Sequence, residues 1–398
     1  MVKTREFTHK EEEKLVHLLF FIFGFGIMAW VPRFPDLKQN LGLSNGEFGS
    51  ILTTGSVGAF IGLLTIGHLV QKWGVFKVAV PATAIVYGSL TLAVNVSSPI
   101  LFIFCNIAIA FGITAQHVSF NTHGFALQER SGFQTVTTTA GYWSAGALIT
   151  AILSGFLASR VDFTLHMSTV AILAGALSIF LLFQLRPILV RANRRESADL
   201  RIRDIFTKFH LDWPISIALS FAIYLEFAIG DWGTIFTEEQ FNIDRDIAAV
   251  PYIVFTIFMI TGRLWGIKRL DQSKIVSTAR KLTLTAGIGF GVCIALAVNL
   301  PEHLKWVSFA FVILGFALAG AGSSILGPTI TRAANRRSPH PPSVVVGQLG
   351  VTNNILTTIM KWTVAGIIGF TGSMSIALML PAVLIIFSAL FMRVLATE

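Results

Sequence analysis

The sequence predicts an all-α membrane protein: twelve transmembrane helices in two pseudo-symmetric six-helix bundles. Three observations carry the prediction. The 398 residues are 54% hydrophobic and 13% charged, where a soluble domain holds about 25% charged residues. Apolar runs long enough to cross a ~30 Å hydrocarbon core recur along the whole chain. Lys and Arg crowd onto alternate connections between those runs, as they do in the cytoplasmic loops of membrane proteins.

Taken in order, the spans fall at 15–37, 48–70, 77–95, 99–126, 134–159, 165–185, 213–236, 247–267, 280–299, 304–330, 344–369 and 373–394. An even number leaves both termini on one side. With that side cytoplasmic, the two tails, the even-numbered connections and their flanking helix ends hold 24 of the 30 Lys and Arg. Five fall on the other side (Arg33, Lys38, Arg160, Arg245 and Lys305), and Lys361 lies within a span. The net charge of +9 is therefore a topology signal, and no nucleic-acid partner is expected. The mixed-charge start "MVKTREFTHKEEEK" leads into an apolar segment without a small-residue cleavage site, so the first helix is expected to stay as an anchor.

In the second span, "GSVGAFIGLLTIG" sets Gly55, Gly58 and Gly62 along one face; the tenth carries "GFALAGAGSSILGP". Both are surfaces where membrane helices approach closely. Trp73, Trp213, Trp265 and Trp306 fall near span ends, as an aromatic belt does. Cys105 and Cys293 lie in apolar runs and read as packing residues. The longest connection contains "RPILVRANRRESADLRIRDIFTKFH". It divides the chain into bundles at 1–190 and 212–398, joined by a cytoplasmic linker at 191–211. Six plus six is the plan of transporters whose site lies midway across the bilayer.

After the second span comes "GHLVQKWGVFK". It resembles the loop motif between spans two and three of the major facilitator superfamily: Gly67, Lys72, Gly74 and Lys77 fit, and Gln71 stands where the family has an Asp. The resemblance implies that this loop latches the cytoplasmic gate, and the missing acid departs from that pattern. "TGRLWGIKRLDQSK" resembles the second-half copy through Gly262, Arg263 and Gly266. Asp271 supplies its acid, one residue late. The first span and following loop ("GFGIMAWVPRFPDLKQNLGLSNGEFG", with Trp30, Pro32 and Arg33), Asn121 of the fourth span, and the Glu226…Asp231-Trp232 spacing of the seventh resemble the fucose-permease-like branch of bacterial inner-membrane proteins. That branch carries acids in its first and fourth spans for proton coupling. Here Asp36 lies at the outer end of the first span, and the fourth offers His117 and His123 instead.

Ionisable residues at bilayer depth are costly and face a cavity or a partner. At 1.5 Å per residue, Glu226 lies about 20 Å along its span and Asp231 about 27 Å. Lys361, about 26 Å along the eleventh span, is level with Asp231, so an Asp231–Lys361 ion pair is expected, as a structural or gating element. Glu226 points about 140° away from Asp231 and has no obvious partner. Two roles fit it: a carboxyl that takes up and releases a proton, or a permanently protonated one that hydrogen-bonds a neighbouring helix. His117 is likewise either a proton carrier or a hydrogen-bonding liner. Gln116, His117 and Asn121 of the fourth span, with Asn353 and Asn354 of the eleventh, either bind solute or bridge helices. Trp30 and Trp143 either stack on a sugar-like solute or simply pack.

The sequence therefore predicts a secondary transporter that moves a small polar, sugar-like solute by alternating access with proton coupling. Export of a metabolite or drug-like compound is the alternative, and a transporter-like receptor a further one. No nucleotide loop, metal cluster or nucleophile motif marks an enzyme, and no cofactor is expected. A monomer, integral to the inner membrane with both termini cytoplasmic, is expected, with protons, the lipid bilayer and a small molecule as partners.

Overall fold

The computed structural model describes residues 8–132, 135–192, 212–266, 272–338 and 342–396. Helix α1 (His9–Met28) opens on a capping box, in which Thr8 and Glu11 exchange hydrogen bonds between side chain and backbone. That box starts the helix ahead of the predicted residue 15. Pro32 and Pro35 then interrupt the backbone ladder. The chain passes through a tight turn (Val31–Arg33) into α2 (Phe34–Leu41), which Gly42 closes at φ 64°. The second span is likewise jointed, into α3 (Asn45–Thr53) and α4 (Gly55–Trp73). Helices α5 (Val75–Asn95), α6 (Pro99–Ser131), α7 (Thr135–Leu157) and α8 (Phe163–Leu185) complete the first half.

The second half begins with α9 (Trp213–Phe241), the short α10 (Arg245–Ala248) and α11 (Val250–Thr261). The predicted span 247–267 does not continue as an α-helix; α11 gives way to a π turn, Gly262–Gly266. Next come α12 (Ile275–Asn299), α13 (Lys305–Ser323) and α14 (Leu326–Arg337). The predicted 304–330 is thus broken at 324–325, resumes at Leu326 and runs past 330 to Arg337. Helices α15 (Pro342–Thr371) and α16 (Met374–Phe391) end the bundle. Side chains cap several starts: Ser98, Asp162, Asp212 and Ser373 each accept a backbone N–H of the first turn. Among the described residues, 11 helical stretches are long and apolar enough to cross a membrane. The remaining predicted span, 344–369, lies within α15, a continuous helix of 30 residues, about 45 Å long.

Contacts divide the described residues into two units. One is drawn from Met1–Trp30, Thr54–Thr150 and Asp162–Phe209, the other from Val31–Thr53, Ala151–Val161 and His210–Glu398. Equivalent helix pairs meet at glycine in both halves. A Cβ on Gly58 of α4 would stand 1.9 Å from the Ile107 carbonyl oxygen of α6; one on Gly320 of α13 would stand 2.3 Å from that of Phe255 in α11. Counted by span, these are second with fourth and eighth with tenth. Third with fourth and ninth with tenth match similarly, through Gly112 against Val86 and Gly322 against Leu282. Small residues set these crossings because the neighbouring helix comes too close to leave room for a Cβ. Outward, Ile100, Phe104, Leu165, Phe387 and Leu390 are exposed, a surface that lipid and not water would cover.

Candidate functional site

Within its span α9 carries two half-buried acids, Glu226 and Asp231, and each meets a different neighbour. Arg263 Nη2 donates to Glu226 Oε2 at 2.9 Å, and Arg263 Nε donates to the Ser324 carbonyl at 3.1 Å. The π turn holds Arg263, and Gly262 beside it makes room, since a Cβ there would stand 2.2 Å from Ser324 Oγ. One guanidinium therefore ties α9 to the break between α13 and α14. This corrects the expectation that Glu226 has no partner. Measured from the end where α9 stops and α11 starts, Glu226 lies about 22 Å down one helix and Arg263 about 20 Å down the other. The two helices run antiparallel, so the groups are level. The second carboxylate oxygen, Glu226 Oε1, is buried, and the Ser323 side chain lies beside the carboxylate.

Asp231 Oδ2 lies 2.6 Å from Lys361 Nζ of α15, each side chain 20% exposed. Lys361 Nζ also stands 5.5 Å from the ring centroid of Phe227, one turn before Asp231, adding a cation–π attraction. Asn353 and Asn354 lie about two turns before Lys361 on α15, half-buried. Their carbonyls accept from Thr357 and Thr358, while Asn353 Oδ1 is buried without a hydrogen-bond partner among the described residues.

In the other unit, His117 is exposed on α6, and Asn121 Nδ2 lies 3.3 Å from its Nδ1. Gln116 faces the opposite way: it is fully buried, and its Nε2 donates to Thr83 Oγ1 of α5 at 2.9 Å. Gln116 thus bridges two helices. Trp143 packs its backbone oxygen 2.1 Å from where a Cβ on Gly24 would stand, so it marks a helix crossing, with its Nε1 buried and without a hydrogen-bond partner among the described residues. Trp30 is half-buried in the turn after α1. In the loop motif, Gly74 is required by its backbone, at φ 81°, and its N–H closes α4 on the Val70 carbonyl at 2.7 Å. Lys72 is exposed. Gly67 has open space around it, so it does not act by close packing. Asp271 lies outside the described residues.

Two further clusters escaped the sequence reading. Glu12, within the mixed-charge start of the chain, is 2% exposed. Its Oε1 lies 2.8 Å from Arg130 Nη2 and 3.2 Å from Nε2 of the equally buried His123. The second cluster uses four of the five basic residues assigned to the outer connections. Asp36 accepts from Arg33 Nε at 2.8 Å and from Arg245 Nη1 at 2.9 Å. Arg245 also donates to Glu238 at 3.1 Å. Lys38 binds Glu239 and, at 2.7 Å, Asn45. Arg160 lies 3.5 Å from Asp246. Residues of α2, α3 and the end of α7 are thereby joined to α9 and α10. The signal was available: basic residues placed against the charge rule need acids nearby.

The chain matches the model of the Major Facilitator Superfamily over residues 16–360. It belongs to the major facilitator superfamily. An uncharacterized MFS-type transporter of Yersinia pestis is 25% identical over 337 residues, covering 83% of this chain and 82% of that protein. Among solved structures, the nucleoside transporter NupG is similar with TM-score 0.71 and 15% identity, covering 97% of this chain and 99% of that chain. The Escherichia coli fucose:proton symporter FucP is similar with TM-score 0.66 and 16% identity, covering 98% and 100%. In superfamily terms the chain is an integral membrane transporter. The acids of the Glu226–Arg263 and Asp231–Lys361 pairs both lie within its seventh span.

Proposed function

We propose that this protein is a secondary active transporter of a small polar, sugar-like solute, driven by protons and working by alternating access. The observation that carries the reading is Glu226. It is a carboxylate inside a span, held through one oxygen by Arg263, with its other oxygen buried and Ser323 beside the carboxylate. A proton arriving there replaces the guanidinium as the partner, which releases Arg263 and the helix break it holds. His117 is the candidate second proton group. His117, Asn121, Asn353 and Asn354 are candidates for the solute's polar contacts. Gln116 is already committed to Thr83 and Trp143 to a helix crossing, so neither is included. A proton-coupled sugar carrier of similar fold, the fucose symporter, supports the reading by analogy. Residues 1–190 and 212–398 are proposed to act as the two moving halves, in the bacterial inner membrane, with both termini cytoplasmic and the chain monomeric. Uptake into proteoliposomes tests it: Glu226→Gln is expected to lose gradient-driven accumulation while keeping solute exchange, and unchanged pH-dependent uptake contradicts the role.

A further inference from the structure

Helix α3 reaches α9 and α15 through glycine. A Cβ on Gly49 would stand 2.3 Å from the Trp232 ring and 3.0 Å from the Ala365 methyl; one on Gly46 would stand 2.7 Å from Gly369 Cα. The backbone of α3 is thus pressed against α15, with the Trp232 indole, 3% exposed, completing the seat under Gly49. The two residues that form this seat adjoin one ion pair. Trp232 follows Asp231 directly, and Ala365 lies one helical turn beyond Lys361. The 2.6 Å contact between Asp231 and Lys361 therefore fastens together the two helix segments that receive Gly49.

We propose that Asp231 and Lys361 are positioning residues for closure: by holding α9 to α15 they set the Trp232–Ala365 seat into which α3 packs. The role is sharp because a glycine seam has little area of its own. Its attraction comes from atoms at contact distance, and a radial gap of about 0.5–1 Å forfeits a quarter to a half of it. Losing one member of the pair also leaves a partly buried charge without compensation, which draws water between the helices. The charged cluster of Arg33, Asp36, Lys38, Glu239 and Arg245 joins the same segments by separate contacts. It keeps α2 and, through Asn45, the first turn of α3 tethered when the seat loosens, so the effect belongs to the part of α3 beyond Asn45. The proposal rests on the transport reading for its purpose, but its test requires no solute and no flux.

The test is hydrogen exchange on the full chain in lipid nanodiscs, read by mass spectrometry over Asn45–Thr53. Asp231→Asn and Lys361→Met are each expected to speed exchange there by about tenfold and to leave Ile275–Asn299 unchanged. Exchanging the two charges, Asp231→Lys with Lys361→Asp, is expected to restore protection to within about twofold, because attraction between α9 and α15 returns. Should the single variants fail to fold, Asp231→Glu and Lys361→Arg keep the charges, alter the reach, and are expected to raise exchange in the same segment by less. Unchanged exchange over Asn45–Thr53, or an equal rise in every helix, overturns the proposal; so does a charge exchange that fails to restore protection. A failure of flux alone bears on the function proposed above and leaves this inference standing.

Discussion

At the scale of single residues, the pairings on α9 decide which substitutions are harmful. Arg263→Gln leaves Glu226 inside a span without its counter-charge. The expected loss of stability is about 2 kcal/mol, between that of an exposed pair and that of a fully buried one. Adding Glu226→Gln should recover part of it, as read from the thermal midpoint of the purified protein; a double variant no better than the single contradicts the pairing. Lys361→Met should likewise relieve Asp231→Asn. The sequence showed one of these pairs and hid the other for a plain reason. Asp231 and Lys361 lie at matching depths on two spans, so helix rise alone brought them together. Glu226 and Arg263 also lie at matching depths, but Arg263 sits beside the glycines of a loop motif and reads as part of a connection. Its place inside the bundle depends on the π turn, which no spacing in the sequence announces. Glu12 was missed because its run of acids looks like a solvated tail. Only a partner on α6, more than 100 residues away, shows it to be buried.

At the scale of elements, the spans were legible and their joints were not. Length and apolarity are local properties and place the helices. The breaks at 54, 262–266 and 324–325 depend on what lies opposite, as Gly262 against Ser324 shows. The basic residues on the outer connections give the clearest test here. If the cluster is electrostatic, Asp36→Arg should destabilise the protein through repulsion of Arg33 and Arg245, and Arg245→Asp in the same chain should reverse most of the loss. High salt should shrink both effects, because the Arg245 side chain is 37% exposed and therefore screened. A loss that is indifferent to salt and to the second substitution means that packing, not charge, holds this end. Gly58→Val tests the crossing of α4 and α6. With the Ile107 carbonyl 1.9 Å from the new Cβ, the helices must separate, and a cost of about 1–3 kcal/mol is expected. A midpoint equal to that of the unaltered chain contradicts the backbone contact.

At the scale of the whole molecule, the distribution of Lys and Arg makes a prediction independent of any site. Reporter fusions at either end of the chain should both report the cytoplasm; opposite sides would undo the proposed orientation. Composition, charge asymmetry and the two loop motifs were enough to show the superfamily, because they are imposed by the bilayer and by a repeated architecture. The solute is another matter. It is recognised by a few side chains whose orientations follow from tertiary packing, as the inward turn of Gln116 toward Thr83 illustrates. The central claim is that a proton on Glu226 drives a solute across the membrane. Its most direct test is uptake into proteoliposomes, under an imposed pH gradient, of solutes first found by thermal-shift screening of the purified protein. Accumulation above the outside concentration, abolished by a protonophore and by Glu226→Gln, is the predicted result. Saturable binding without accumulation, or accumulation indifferent to the gradient, would contradict it.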